Sequence, residues 1–225
     1  MAEKLHAAIF DWDGVVADSA HLQVEAEKRT AVTMADEYAI PFDVHRRDWD
    51  RFEGWGRTKI AKYIFDADDE LAEIYRERVI DTSVEIIRPA ILKPISGARG
   101  FIDFLKNRNL PLGIATSSSS KILHPSLKLF GMERDFQYAV CHREALDDKP
   151  LPGPYRKVMN YLNVEARRTL VIEDSKSGIE AGLAAGALVM AISTTKPVNY
   201  LRNNTRAHLV AEDYEHATYL VAPYL

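Results

Sequence analysis

Short apolar runs alternate with amphipathic helical patterns along most of this 225-residue chain. The runs are 7–10, 110–115, 136–141, 169–172 and 187–192, and the helical patterns between them are 97–106, 121–130, 154–162 and 177–185. A short apolar run bounded by turn residues is typical of a strand that is buried on both faces. Such strands alternating with helices predict βαβ units, and therefore an α/β fold whose parallel sheet is covered by helices on both faces.

The stretch from residue 20 to residue 88 has a different pattern. Strand-like runs disappear, and charged helical patterns replace them at 22–38, 58–65 and 70–87. We predict that residues 19–89 form a small all-helical domain inserted after the first strand, and that residues 1–18 and 90–225 form the sheet-containing core. Because two chain connections join the insert to the core, the insert is suited to act as a hinged lid.

The composition excludes several classes of protein. Lys and Arg total 29 against 33 Asp and Glu, so the net charge of −4 gives no support to nucleic-acid binding, which usually needs a basic excess. The single cysteine, Cys141, permits no internal disulfide and fits a cytoplasmic protein. The first apolar run meets Asp11 too soon for a signal peptide or a membrane span. We therefore expect a cytoplasmic monomer or homodimer that binds neither nucleic acid nor membranes.

Carboxylates follow two of the predicted strands. Asp11 and Asp13 come after the first run, and Glu173 and Asp174 come after the fourth. Because the carboxyl ends of parallel strands lie at one edge of a sheet, where open α/β sheets bind ligands, these acids are expected to converge. Converging carboxylates repel one another unless a cation is present, and oxygen ligands without His or Cys suit Mg²⁺. The alternative is a set of unrelated, solvated turns at that edge.

Hydroxyl groups and a lysine follow two further strands. Thr116, Ser117 and Ser118 come directly after the run 110–115, where hydroxyls and free backbone N–H groups can bind an anion or simply cap a helix. Lys149 lies in a proline-braced loop after the run 136–141. Its ammonium group could contact a phosphoryl oxygen, or it could pair with the adjacent Asp147 or Asp148.

Taken in order, these segments resemble the four motifs of the haloacid dehalogenase-like superfamily of phosphotransferases. Residues 11–19 are similar to the first motif, Thr116 to the second, Lys149-Pro150 to the third and residues 173–175 to the fourth. The fourth motif continues as in the branch that contains β-phosphoglucomutases and small-molecule phosphatases. The resemblance implies a three-layer, Rossmann-like core with a helical cap at the position of the insert.

The resemblance also implies a reaction, the hydrolysis of a small phosphorylated metabolite through an aspartyl-phosphate intermediate. Asp11 would be the nucleophile, and Asp13 would protonate the leaving alcohol and then activate water. An acid at position 13 favours a phosphate ester over a halide, because a halide needs no proton.

The ligand sets follow from the same resemblance. Thr116, Ser117 and Lys149 would bind the transferred phosphoryl group. Asp11, Asp174 and the backbone carbonyl of Asp13 would hold Mg²⁺, and Glu173 would contact the ion directly or through water.

The insert is expected to select the substrate. Gly54 and Arg57 would contact it, with Arg57 gripping a second anionic group and Trp55 stacking on a sugar or excluding water. Alternatively, Arg57 begins a helix and Trp55 belongs to the core of the insert. Gln23 stands where the branch often has a histidine.

Three other functions remain as alternatives. A phosphosugar mutase of the β-phosphoglucomutase type would use the same core, but Gln23 and the altered loop around Gly54 favour hydrolysis. A phosphonoacetaldehyde hydrolase would need a reactive lysine in the cap, where Lys59 and Lys62 lie. A receiver-type signalling module also gathers acids around Mg²⁺, but receivers are about half as long and have no lid.

Overall fold

The structure is a computed structural model that describes residues 3–44, 49, 57–87 and 91–225. The chain divides into two compact units. The core unit comprises Met1–Asp18 and Lys93–Leu225, and the helical unit comprises Ser19–Leu92. In the described ranges, no helix has both the length and the apolar character that crossing a membrane requires.

The core unit is built on a six-stranded parallel sheet. Its strands are β1 (Ala7–Phe10), β2 (Leu112–Ala115), β3 (Tyr138–Val140), β4 (Thr169–Glu173), β5 (Leu188–Ile192) and β6 (Leu209–Ala211). Their order across the sheet is β3-β2-β1-β4-β5-β6. The five predicted runs contain β1, β2, β3 and β5 and all of β4 except Glu173, whereas β6 was not predicted. Because β1 lies between β2 and β4, the ends of these three strands are neighbours.

The helical unit contains the three helices that the sequence predicts there. They are α1 (Ala20–Glu37), α2 (Arg57–Phe65) and α3 (Asp69–Ile86), each within two residues of the predicted bounds. The Asp68 side chain accepts a hydrogen bond of 2.8 Å from the Leu71 N–H and so caps the start of α3. Between α1 and α3, the Thr30 and Thr82 hydroxyls hydrogen-bond at 3.0 Å. These helices therefore pack as one unit.

Helices cover both faces of the sheet in the core unit. They are α4 (Ala98–Lys106), α5 (Ser120–Phe130), α6 (Gly153–Leu162), α7 (Lys176–Ala185), α8 (Val198–Asn204) and α9 (Tyr214–Val221). Successive residues of a strand point to opposite faces. Ile9 accordingly packs in a cluster with residues of α6, α7 and α8, while the ring of Phe10 meets Phe101 of α4 edge-on at 6.1 Å. The predicted three-layer, Rossmann-like architecture is confirmed.

Candidate active site

Asp11 lies at the centre of the carboxyl edge of the sheet. It follows β1 directly, and its N–H donates to the Ile172 carbonyl of β4 at 3.0 Å, which extends the strand pairing by one residue. Its side chain is buried. Lys149 Nζ donates to Asp11 Oδ1 at 2.8 Å and to Glu173 Oε1 at 2.6 Å. A single buried ammonium group therefore bridges carboxylates from two neighbouring strands.

The Glu173 carboxylate is fully buried and accepts hydrogen bonds at both oxygens. Besides Lys149, Oε1 accepts from the Tyr155 hydroxyl at 2.6 Å. Oε2 accepts from the N–H groups of Asp174 and Ser175, at 3.1 and 3.2 Å, and from the Ser175 hydroxyl at 3.0 Å. Because these hydrogen bonds hold the Glu173 carboxylate in place, its contact with Lys149 also holds the ammonium group in place.

Two glycines let the backbone approach these acids closely. Gly14, in the turn after Asp13, has a φ of +74°, and a Cβ atom there would lie 2.2 Å from Asp174 Oδ2. A Cβ atom at Gly178, in the first turn of α7, would lie 1.7 Å from Glu173 Oε1. Any larger residue at either position would have to displace a carboxylate of the site.

Asp11, Glu173 and Asp174 form what we call the acidic group. One carboxylate oxygen from each lies within 4.8 Å of the others, and all three residues are buried. Thr195, which follows β5, donates from Oγ1 to Asp174 Oδ2 at 2.6 Å. Clustered carboxylate oxygens are the donor set of hard divalent cations, so these residues fit a metal site.

Electrostatics support the same conclusion. Burial raises the pKa of Asp11 well above its ordinary range, and the negative charge of Glu173 adds to this, while Lys149 opposes it. Burial and Glu173 likewise raise the pKa of Asp174 to about 7, against the hydrogen bond from Thr195. Burial would lower the pKa of Lys149, but Asp11 and Glu173 outweigh it and raise that pKa. The ionised forms of Asp11 and Asp174 are therefore disfavoured even beside Lys149, and a bound cation would favour them.

Asp13 lies beside hydroxyl groups that follow β2. Its Oδ2 accepts from the Ser118 hydroxyl at 2.6 Å and from the Thr116 hydroxyl at 3.3 Å. The Ser118 N–H in turn donates to Thr116 Oγ1 at 3.0 Å. Ser117, between them, is exposed. The ends of β1 and β2 thus bring the expected acid together with the hydroxyls of Thr116 and Ser118, while phosphoryl binding by Thr116 and Ser117 stays a prediction.

The convergence that strand-end positions predict is present in the structure. Lys149 pairs with Asp11 and Glu173 rather than with its sequence neighbours, which have other partners. Asp147 Oδ1 accepts from the Gly153 N–H at 2.6 Å, and Asp148 lies 3.3 Å from the His142 ring nitrogen Nδ1.

The expected substrate-contacting residues of the insert are placed only in part. Gly54 and Trp55 lie outside the described residues. Arg57 is half-buried and lies in α2 as the first residue described after the gap at 50–56, so its place at a helix start and its contact with substrate both stay predictions. Gln23 is half-buried in α1.

Tyr155 and Thr195 escaped sequence reasoning, and the contact of Ser118 with Asp13 was not foreseen. Tyr155 lies on the apolar side of α6 and therefore reads as core. Ser118 was expected among the hydroxyls of a possible anion site, but as one of four consecutive serines, 117–120, it was not singled out as a partner of Asp13. Thr195 follows a predicted strand at the same edge of the sheet as the acids, and only this position could have indicated that it belongs to the site.

The fold and the site together define an α/β enzyme whose carboxylates, lysine and hydroxyls meet at the carboxyl edge of a parallel sheet. The family model described as haloacid dehalogenase-like hydrolase matches residues 8–192. The chain belongs to this family. The resemblance drawn from the motifs, including its β-phosphoglucomutase-like branch, is therefore confirmed.

Individual relatives are similar over most of their length. A phosphorylated carbohydrates phosphatase from Thermotoga maritima is 33% identical over 81% of this chain and 82% of the relative. A β-phosphoglucomutase from Bacillus subtilis is 27% identical over 86% of each chain. The solved structure of a family IA, variant 3 hydrolase from Entamoeba histolytica covers 94% of each chain with a TM-score of 0.83 at 24% identity, a likeness of fold. Relatives named as phosphatases support the prediction of a phosphohydrolase.

Proposed function

We propose that the protein hydrolyses phosphate monoesters of small phosphorylated metabolites, with phosphorylated carbohydrates as the substrate class. The observation that carries the proposal is the contact between Lys149 Nζ and Asp11 Oδ1 inside the acidic group. It holds a buried carboxylate beside a fixed positive charge, where a phosphoryl group can be both attacked and neutralised. The phosphatase relative from T. maritima supports the substrate class.

Asp11 is the nucleophile in this proposal. One of its carboxylate oxygens attacks phosphorus, the bond from phosphorus to the ester oxygen breaks, and an aspartyl-phosphate forms. Asp13 gives its proton to the departing alkoxide. Asp13 then takes a proton from water, whose oxygen attacks phosphorus, and inorganic phosphate leaves with Asp11 restored.

Lys149, Thr116 and Ser117 bind the transferred phosphoryl group in this scheme. Glu173 keeps Lys149 in place, since the 2.6 Å contact is one of several that fix the Glu173 carboxylate. The ammonium group reduces the repulsion between the Asp11 carboxylate and the phosphate. The Ser118 hydroxyl, at 2.6 Å from Asp13 Oδ2, orients the acid.

Mg²⁺ is the metal ion that we assign to the acidic group. Asp11, Asp174 and the backbone carbonyl of Asp13 would hold it. Glu173 would act directly or through water, and because both of its oxygens already accept protein hydrogen bonds, we favour water. When bound, Mg²⁺ supplies positive charge that offsets the repulsion between carboxylate and phosphate.

The helical unit is proposed to serve as the cap of this enzyme, with residues 19–89 as the insert and residues 1–18 and 90–225 as the catalytic core. Gly54, Trp55 and Arg57 would select the substrate. Substrate selection can be measured apart from catalysis: replacing Arg57 by Ala should change the KM values for different substrates more than it changes their kcat values.

The test is a panel of phosphorylated metabolites incubated with Mg²⁺ and the wild-type protein, Asp11→Asn or Asp103→Asn. Asp103 is a matched control because it is a carboxylate on the surface of α4, 3.7 Å from Arg99. Wild type and Asp103→Asn should release phosphate from at least one sugar phosphate. Asp11→Asn should lose several orders of magnitude in kcat. Near-normal turnover by Asp11→Asn would refute the assignment.

A phosphosugar mutase is the second candidate, because the B. subtilis β-phosphoglucomutase is similar over most of the chain. A mutase returns the phosphoryl group to a sugar hydroxyl instead of passing it to water. The same incubations separate the two functions when both free phosphate and sugar-phosphate isomers are measured. Isomerised product without free phosphate would overturn hydrolysis.

A further inference from the structure

The segment after β5 brings a hydroxyl to the acidic group. Because β5 pairs with β4, residues beyond the ends of these strands can meet although they are distant in sequence. Thr195 Oγ1 donates to Asp174 Oδ2 at 2.6 Å. The segment is held near this position by its own hydrogen bond, from the Ser193 hydroxyl to the Lys196 carbonyl at 2.7 Å.

The other end of the Thr195 side chain packs against the turn that follows β1. A Cβ atom at Gly14 would lie 2.9 Å from Thr195 Cγ2 and 2.2 Å from Asp174 Oδ2. The methyl group and the accepting carboxylate oxygen therefore both occupy the space that a side chain at Gly14 would need. Thr195 is an exposed residue whose hydroxyl bonds to Asp174 and whose methyl group lies beside Gly14.

We propose that Thr195 is a positioning residue that sets the orientation of the Asp174 carboxylate for a divalent cation bound by the acidic group. The inference rests on the proposed function in taking Asp174 as a cation ligand. A terminal carboxylate has a broad rotational preference, so an outside donor must define the direction of its oxygens. A hydroxyl suits this task because it is neutral and leaves the negative charge of Asp174 for the cation.

Partners that orient a metal ligand have measurable effects on metal affinity. Removing one typically weakens binding about 10–100-fold. The preceding residue provides a matched control, because Thr194 Oγ1 is buried and has no hydrogen-bond partner among the described residues. Replacing either threonine by valine removes a hydroxyl and keeps the branched shape, so the two variants differ in whether a bond to Asp174 is lost.

The experiment measures Mn²⁺ binding directly by electron paramagnetic resonance, and Mg²⁺ by competition, with wild type, Thr195→Val, Thr195→Ser and Thr194→Val. Far-UV circular dichroism and thermal unfolding without metal check that each variant folds. Thr195→Val should bind Mn²⁺ about 10–100-fold more weakly, Thr195→Ser should stay near wild type, and Thr194→Val should be unchanged. In turnover assays, excess Mg²⁺ should restore the kcat of Thr195→Val.

Two outcomes overturn the inference. Wild-type affinity in a folded Thr195→Val protein would mean that the hydroxyl does not orient Asp174 for the cation. A Thr195→Ser protein as weak as Thr195→Val would mean that a hydroxyl at this position does not by itself preserve the affinity, which contradicts the proposed role. The proposed function fails separately, when wild type binds Mn²⁺ in this way but hydrolyses no phosphate ester.

Discussion

Gly178→Ala tests the placement of Glu173, because helix propensity favours alanine at this position whereas the neighbouring Glu173 carboxylate leaves no room for it. Gly178 lies in the first turn of α7, where alanine normally stabilises a helix by about 0.5–1 kcal/mol. In this structure the added Cβ atom would lie 1.7 Å from Oε1 and 2.0 Å from Cδ of Glu173. We therefore expect the substitution to destabilise the protein despite its helix propensity.

The magnitude follows from the contacts of the displaced carboxylate. Reaching an ordinary 3.4 Å contact requires a shift of roughly 1.7 Å, which the 2.6 Å bonds from Lys149 and Tyr155 to Glu173 cannot follow. Breaking a buried ion pair while its partner stays buried costs about 3–5 kcal/mol. After subtracting about 1 kcal/mol for helix propensity, Gly178→Ala should lose about 2–4 kcal/mol, or roughly 4–16 °C in Tm.

The assay is urea unfolding followed by circular dichroism and by tryptophan fluorescence, to which Trp12, buried in the core unit, contributes. Gly100→Ala is the matched control, because Gly100 lies within α4 and nothing lies within 4 Å of its added Cβ atom. Gly100→Ala should gain about 0.5–1 kcal/mol. If Gly178→Ala gained as much and kept wild-type activity, the reasoning about Glu173 would be wrong.

Three further predictions concern single groups. Burial raises the pKa of Glu27 from 4.5 to about 7, against the charge of Arg57, so ionising Glu27 destabilises the folded protein as pH rises through this range. In urea unfolding, the free energy of unfolding of Glu27→Gln should therefore exceed that of wild type by up to about 3 kcal/mol at pH 8. The two proteins should not differ near pH 4. Tyr155→Phe should lower the free energy of unfolding by about 1–3 kcal/mol in the same assay, because the buried Glu173 carboxylate loses the hydrogen bond from the Tyr155 hydroxyl. A loss under about 0.5 kcal/mol would contradict this. Added Mg²⁺ should raise the Tm of wild type but not of Asp174→Asn, and EDTA should abolish turnover; equal shifts in both proteins would argue against the metal site.

The sequence predicted most of the core because its signals are local. An apolar run such as 169–172 is a strand signal by itself, and an acid after it marks the carboxyl edge wherever the strand lies in the sheet. The helices of the insert were likewise found from their charged, periodic pattern. β6 was missed because its apolar run is only three residues long, between His208 and Glu212, whereas β3, which is equally short, lies within the longer run 136–141.

What the chain alone determined, then, is which residue types follow which strands: Asp11 and Asp13, Thr116, Lys149, Glu173 and Asp174. Only the tertiary structure decided which of them touch. Lys149 reaches Asp11 rather than its neighbouring aspartates, and Thr195 reaches Asp174, because the order β2-β1-β4-β5 puts their strand ends side by side. Strand order is set by the packing of the whole sheet, so no window of sequence encodes these contacts.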